Sequence, residues 1–198
     1  MVSLQAVDAD WCRQNVAGMA SDGQRRWYSE PLAYPGRVFI FGGGHVSQAL
    51  VPVLASIGFS CTVVDDRAEF ADPALFPQAE AVYEADYEAL PADLGVTPDD
   101  YVCIMTRGHV GDYDVQRQML AIKPYYLGVI GSRRKLAFVK EKLLADGFTA
   151  AEIDACHAPI GLAISAVTPA EIAISIAAEL IAIRAKREGR EKSRYHKP

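Results

Sequence analysis

From Arg37 onward the sequence alternates short apolar runs with amphipathic stretches, and that rhythm leaves few folds open. Val38–Phe41 is a four-residue apolar run that reads as a buried strand. Gly42-Gly-Gly-His45 follows at once, then a helical pattern of Val46, Leu50, Val53, Leu54 and Ile57, closed by Gly58. Pro52 falls inside this helix and is expected to kink it. The pattern predicts further strands over Phe59–Val64, Ala81–Tyr83 (short, at a sheet edge), Tyr101–Met105 and Tyr125–Ile130. It predicts helices over Asp112–Ile122 and Ser132–Ala145, the latter closed by Gly147. Two capping boxes, Thr149 with Glu152 and Thr168 with Glu171, open a short helix and a long final one over Pro169–Arg187. Parallel strands need crossovers, and crossover helices cover the sheet. The expected class is therefore α/β: a doubly wound, mainly parallel sheet with helices on both faces and a long apolar C-terminal helix.

Charge and cysteines narrow the function. The formal charge is −5, which argues against nucleic acid as a partner. From Arg184 to Pro198 seven Lys/Arg stand against two Glu, so residues 188–198 read as a basic, disordered tail. Cys12, Cys61, Cys103 and Cys156 lie too far apart in sequence for a zinc or redox motif. The apolar stretch 159–183 carries Glu171 and Glu179, which a lipid-facing helix would not hold at its centre. With no export signal at the N-terminus, the expectation is a soluble, cytoplasmic protein with no membrane partner. Residues 1–30 are weakly patterned and read as a lead-in, or as the remnant of a domain this chain lacks. The final helix is apolar almost all round, from Ile172 to Ile183, and is expected to be buried by the sheet or by a second subunit, favouring a homodimer.

In a doubly wound sheet, ligands bind beyond the carboxyl ends of the strands. Four loops leave from those ends: Gly42-Gly-Gly-His45, Asp65-Asp66-Arg67, Thr106-Arg107-Gly-His109 and Gly131-Ser132-Arg133-Arg-Lys135. Gly42, Gly43 and Gly44 open a helix and present backbone N–H groups to an anion, as in a Rossmann-like nucleotide fold. Ser47 replaces the third glycine of that fingerprint, so a purely structural turn is the competing reading. Asp65 or Asp66 stands where an acid accepts hydrogen bonds from a ribose, with a solvated strand end as the alternative. Thr106, Arg107 and His109 offer a hydroxyl, a cation and an imidazole. Arg133 and Lys135 lie in a helix first turn, where cations oppose the dipole and a bound anion would account for them. His45 and His109 are the candidates for general acid–base work, although no catalytic set can be assigned. Two histidines without a third ligand make no metal site.

At these loops the chain resembles the XdhC/CoxI family of xanthine dehydrogenase accessory proteins. The resemblance rests on Phe41-Gly-Gly-Gly-His-Val46, Val63-Val-Asp-Asp-Arg67 with Phe70-Ala71, and Thr106-Arg-Gly-His109 with Asp112. Gly128-Val-Ile-Gly-Ser-Arg-Arg-Lys135, Pro159-Ile-Gly-Leu162 and Thr168-Pro-Ala-Glu-Ile-Ala173 complete it. It spans residues 31–187 as the family's Rossmann-like C-terminal domain; Ala163 and Ser165 depart from the family's usual Asp and Gly. The resemblance implies a chaperone rather than an enzyme, acting in purine metabolism. Such a protein binds molybdenum cofactor (molybdopterin) as cargo and delivers it to a xanthine dehydrogenase-type apoenzyme, with a cysteine desulfurase as a further partner. An NAD(P)-binding oxidoreductase is the alternative from the fold and Asp65. A nucleotide-sensing or structural interaction module is the third reading.

Overall fold

The computed structural model describes residues 18–21, 26–29 and 36–188. The chain divides into two compact units, Pro35–Leu180 and a second joining Met1–Tyr34 to Ile181–Pro198. In the second unit β1 (Gly18–Ser21) and β2 (Arg26–Ser29) pair as an antiparallel ribbon. The sequence alone predicts no strand there, because four-residue strands are too short to show a period. The basic tail expected over 188–198 lies, beyond Glu188, outside the described residues, as does Cys12.

The larger unit is a five-stranded, wholly parallel sheet of order β5-β4-β3-β6-β7. Its strands are β3 (Arg37–Phe41), β4 (Ser60–Asp65), β5 (Ala81–Glu84), β6 (Tyr101–Ile104) and β7 (Tyr126–Val129). The first strand of the unit is central and the winding reverses beside it, as the alternation requires. Its helices are α1 (His45–Ser56), α2 (His109–Ile122), α3 (Arg133–Ala145), α4 (Ala150–Asp154) and α5 (Pro169–Arg187), the last of which runs on past the unit's boundary. No helix among the described residues is long and apolar enough to cross a membrane.

Both faces of the sheet are covered. Phe39, Phe41, Val102, Ile104, Leu127 and Val129 point to one side and pack with Val115 and Met119 of α2 and Val139 and Leu143 of α3. Val38, Ile40, Cys61, Val63 and Cys103 point to the other side, and Leu50, Leu54, Ile176 and Leu180 of α1 and α5 are equally buried. Burial pushes the Cys61 thiol up to about 12 and the Cys103 thiol higher still, so both act as small apolar groups.

Several boundaries differ from the sequence expectation. Helix α2 begins three residues early, at His109, because Gly108 supplies a backbone with φ +110 that sets its start. Pro52 does not end α1; it sits on the exposed face, where the carbonyl it leaves unpaired can reach water. Both capping boxes form: Thr149 and Glu152 cap each other, and Glu171 Oε2 accepts from the N–H groups of Val167 and Thr168. Helix α5 buries Ala173, Ser175, Ile176, Ala177 and Leu180 but leaves Ile174 exposed, so within this unit it is covered on one side only.

A further segment lies along the outer edge of β7. His157 bridges Gly128 in parallel, the His157 N–H donates to Leu127 O, and the Val129 and Ile160 N–H groups donate to His157 O and Val129 O. The loop between α4 and α5 is thus strand-like here, and it covers a sheet edge.

Candidate functional site

The four candidate loops do leave the carboxyl ends of β3, β4, β6 and β7. The glycine turn is built from unequal glycines. Gly42 has φ +111, and a Cβ there would collide with the Met105 carbonyl; its N–H donates to Val64 O at 2.7 Å. Gly43 is closed by the Phe70 backbone, whose carbonyl oxygen occupies the space of a side chain. Gly44, the N-cap of α1, would point a Cβ at nothing within 4 Å. Packing within the protein explains the first two glycines; Gly44 serves as the N-cap of α1, and the space beside it is open. Ser47 is buried and donates to Gly42 O, so it braces the turn while keeping helix and strand close. Gln48 Nε2 adds a bond to Gly43 O at 3.0 Å, a contact that no pattern in the sequence announces.

Asp65 is not the exposed acceptor expected at a strand end. It is fully buried, and its Oδ2 accepts from Gly43 N–H at 2.7 Å and Arg67 Nη2 at 3.0 Å. Its Oδ1 accepts from the Arg67 backbone N–H at 3.0 Å and from Arg67 Nε at 2.9 Å. Burial pushes this carboxyl up, but the Arg67 fork and the Gly43 N–H outweigh it and hold it below the ordinary range. Arg67 in turn stacks over the Phe70 ring at 3.7 Å. Asp65, Arg67 and Phe70 thus clamp the glycine turn to β4. Asp66, with 49 % of its side chain exposed, is the acid left facing solvent. Burial and the neighbouring Asp65 raise its carboxyl.

A second clamp joins the other two loops. Asp112, in the first turn of α2, is fully buried; Oδ1 accepts from Thr106 N–H at 3.2 Å and Thr106 Oγ1 at 2.5 Å. Its Oδ2 pairs with Lys135 Nζ. Burial raises the Asp112 carboxyl above its usual range despite Lys135 and Thr106, which pull it down. Lys135, expected as an anion ligand, is instead neutralised by a buried carboxylate, and its side chain is 20 % exposed. Thr106 likewise faces Asp112. The sequence signal for this network is only the Asp112 that accompanies Thr106–His109 in the family motif.

Apart from the exposed Asp66, what remains open at this edge is cationic. Ser132 caps α3 through Lys135 N–H, while Arg107, Arg133 and Arg134 are exposed and carry no ion pair among the described residues. His45 is exposed at the first position of α1. His109 opens α2, but its side chain lies outside the described residues, so the pairing of the two histidines is not placed. Gly131 stands beside Lys135 and Leu136. The arrangement suits an anion held by free N–H groups of α1 and by arginines, on loops fixed by two buried carboxylate clamps.

Fold and candidate site together define a Rossmann-type α/β domain whose braced carboxyl edge carries exposed arginines. The XdhC Rossmann domain family matches residues 38–180, and this chain belongs to that family. It is 33% identical over 149 residues to the uncharacterized protein YqeB of Escherichia coli K12, covering 75% of this chain and 27% of that protein. It is 28% identical over 148 residues to a probable xanthine dehydrogenase subunit of Bacillus subtilis 168, covering 75% of this chain and 43% of that protein. A crystal structure of a xanthine dehydrogenase from Bacillus halodurans matches with a TM-score of 0.65 and 29% identity, over 89% of this chain and 50% of that one. This chain therefore spans half or less of the length of these relatives.

Proposed function

We propose that this domain is the cargo-holding part of an accessory protein for a xanthine dehydrogenase-type molybdenum hydroxylase. Its cargo is molybdenum cofactor, held through the phosphate or pyrophosphate of the pterin. The observation that carries this reading is the open approach at Gly44 on the same edge as Arg107, Arg133 and Arg134, which have no ion pair among the described residues. Such a site has more fixed positive charge than helix stability can account for. Family membership and the names of the Bacillus relatives support the partner class. His45 stands beside the turn and is the first side chain to test for contact with the cargo. The exposed Ile174 on α5 supports a homodimer through that helix.

The test is elemental and pterin analysis of protein purified from a molybdate-fed host, followed by transfer to an apo-hydroxylase. Co-purified molybdenum and pterin are expected. Failure to bind released cofactor at micromolar protein would overturn the reading.

A second reading, an NAD(P)-binding oxidoreductase, is favoured by the fold and by the exposed Asp66. It is weakened by Asp65, whose oxygens are already engaged by Arg67 and Gly43. Calorimetry with both nucleotides separates the two readings.

A further inference from the structure

We infer that the uncovered face of α5 is a two-fold contact with a second copy of this chain, in which the two α5 helices pack antiparallel. The inference rests on the homodimer reading above and does not depend on the cargo.

Exposed large apolar side chains are concentrated at this helix. Of the eleven among the described residues, five fall within residues 162–181: Leu162, Ile164, Val167, Ile174 and Ile181. Apolar residues scattered singly over a surface are ordinary, whereas a contiguous group marks an interaction site. Leu162 is held beside α5, because its N–H donates to Ser175 O at 3.3 Å and Ser175 Oγ donates to its carbonyl at 2.7 Å. Along the helix Ile174, Ala178, Ile181 and Ala185 follow at spacings of four, three and four residues, which places them on one stripe. Ile174 is 51 % and Ile181 39 % exposed, so the stripe faces away from the buried Ala173, Ile176, Ala177 and Leu180.

The alternation of large and small along the stripe selects a copy of the same helix as the occupant. In an antiparallel pair Ile174 of one helix lies level with Ala185 of the other, and Ala178 with Ile181. Each large side chain then meets a small one, and the same contact is made twice about the two-fold axis. In a parallel pair isoleucine would meet isoleucine and alanine would meet alanine, giving overlap and gap in turn. Charge selects the same direction. Glu171, three residues before Ile174, is the acidic residue of the first turn, whereas the last turn holds Arg184, Lys186 and Arg187. Glu188 follows, and that end is still net positive. The two ends are about 22 Å apart along the helix, well beyond a Debye length of roughly 8 Å, so each responds to the end that lies beside it. Antiparallel packing sets Glu171 against the basic end of the second copy, twice. Parallel packing sets the two basic ends side by side.

Sedimentation equilibrium tests the contact. The unaltered protein is expected to be a dimer at micromolar concentration. Ile174→Asp puts an unpaired charge into the contact at a position that is exposed in the single chain. It is expected to weaken the dimer at least about one hundred-fold while circular dichroism stays that of the unaltered protein. Lys186→Glu separates the two directions. In the antiparallel pair it turns an attraction to Glu171 into a repulsion, so affinity should fall about five-fold at low salt and less at high salt. A monomer at micromolar concentration overturns this inference together with the homodimer reading; the cargo reading has its own test in pyrophosphate calorimetry. A dimer indifferent to Ile174→Asp overturns the contact through α5. A dimer weakened by Ile174→Asp but unchanged or tightened by Lys186→Glu overturns the antiparallel packing.

Discussion

Adjacent glycines in the turn after β3 should respond to the same substitution in opposite ways. In Gly43→Ala the new methyl group overlaps the Phe70 carbonyl oxygen and stands 3.1 Å from its carbon, and both belong to backbone that a rotamer change cannot move. Either the turn or the Phe70 loop must shift, at an overpacking cost of about 1–3 kcal/mol. A shift of the turn also pulls Gly43 N–H from Asp65, a 2.7 Å charge-assisted bond to a fully buried carboxylate, for roughly another 1.5–3 kcal/mol. A total loss of about 2.5–6 kcal/mol follows. In Gly44→Ala the methyl group meets no protein atom within 4 Å, and the backbone at φ −69 and ψ −177 is one that alanine adopts. A weaker N-cap is offset by a less flexible unfolded chain, leaving stability within about 0.5 kcal/mol. Its methyl group does occupy the approach to the α1 N-terminus, so pyrophosphate affinity should fall at least about ten-fold. Urea unfolding followed by circular dichroism measures the first effect and calorimetry with pyrophosphate the second. The reasoning fails if Gly44→Ala destabilises as much as Gly43→Ala, or if Gly43→Ala unfolds at the unaltered midpoint.

The two carboxylate clamps should leave opposite marks on pH dependence. Asp112 has a raised carboxyl, so its contribution is full below the unfolded pKa, about 3.9, and is lost as pH rises through the folded value. Lys135→Met raises that carboxyl further and should cost up to about 3–5 kcal/mol near neutrality, much of it recovered on acidification; a loss independent of pH would refute this. Asp65 has a lowered carboxyl, so its contribution is present above the unfolded pKa and disappears as pH falls through the folded one. Asp65→Asn should therefore flatten the acid limb of a denaturation profile, and an unchanged limb would exclude the clamp. Arg133→Ala combined with Arg134→Ala should leave stability within about 0.5 kcal/mol while weakening pyrophosphate binding and its salt dependence; unchanged calorimetric titrations at low and high salt would show that these arginines hold no anion.

The order of elements was legible because strands buried on both faces leave unbroken apolar runs, as in Val38–Phe41 and Tyr101–Ile104. Helix ends with a chemical marker, Ser132, Thr149 and Thr168, were readable to within a residue. The start of α2 was not, because it depends on the backbone of Gly108 rather than on a side-chain cap. The edge that carries the four candidate loops was legible from residue types. The division of labour within it was not, because Asp65 and Lys135 look like ligands in sequence and become braces only when Gly43 and Asp112 come within bonding distance. Sequence names a charge; its partner is a property of the fold. Glu179 shows the same limit: the sequence marks it as an anomaly in an apolar helix, and only the fold brings Tyr126, His157 and Gly161 to its oxygens.

The strand-like His157–Ile160 segment makes the two sides of the sheet unequal in their capacity to grow. Along β7 the outward ladder is already engaged, and the segment is latched to α5 through Glu179. Along β5 no strand follows among the described residues, and Tyr83 is exposed on a four-residue edge. Intermolecular strand addition, whether as aggregation under stress or as deliberate grafting of a peptide, therefore has one direction available in this unit. A charged substitution at Tyr83 is the economical guard against the first, and β5 is the side on which an added strand would meet backbone that no strand among the described residues pairs.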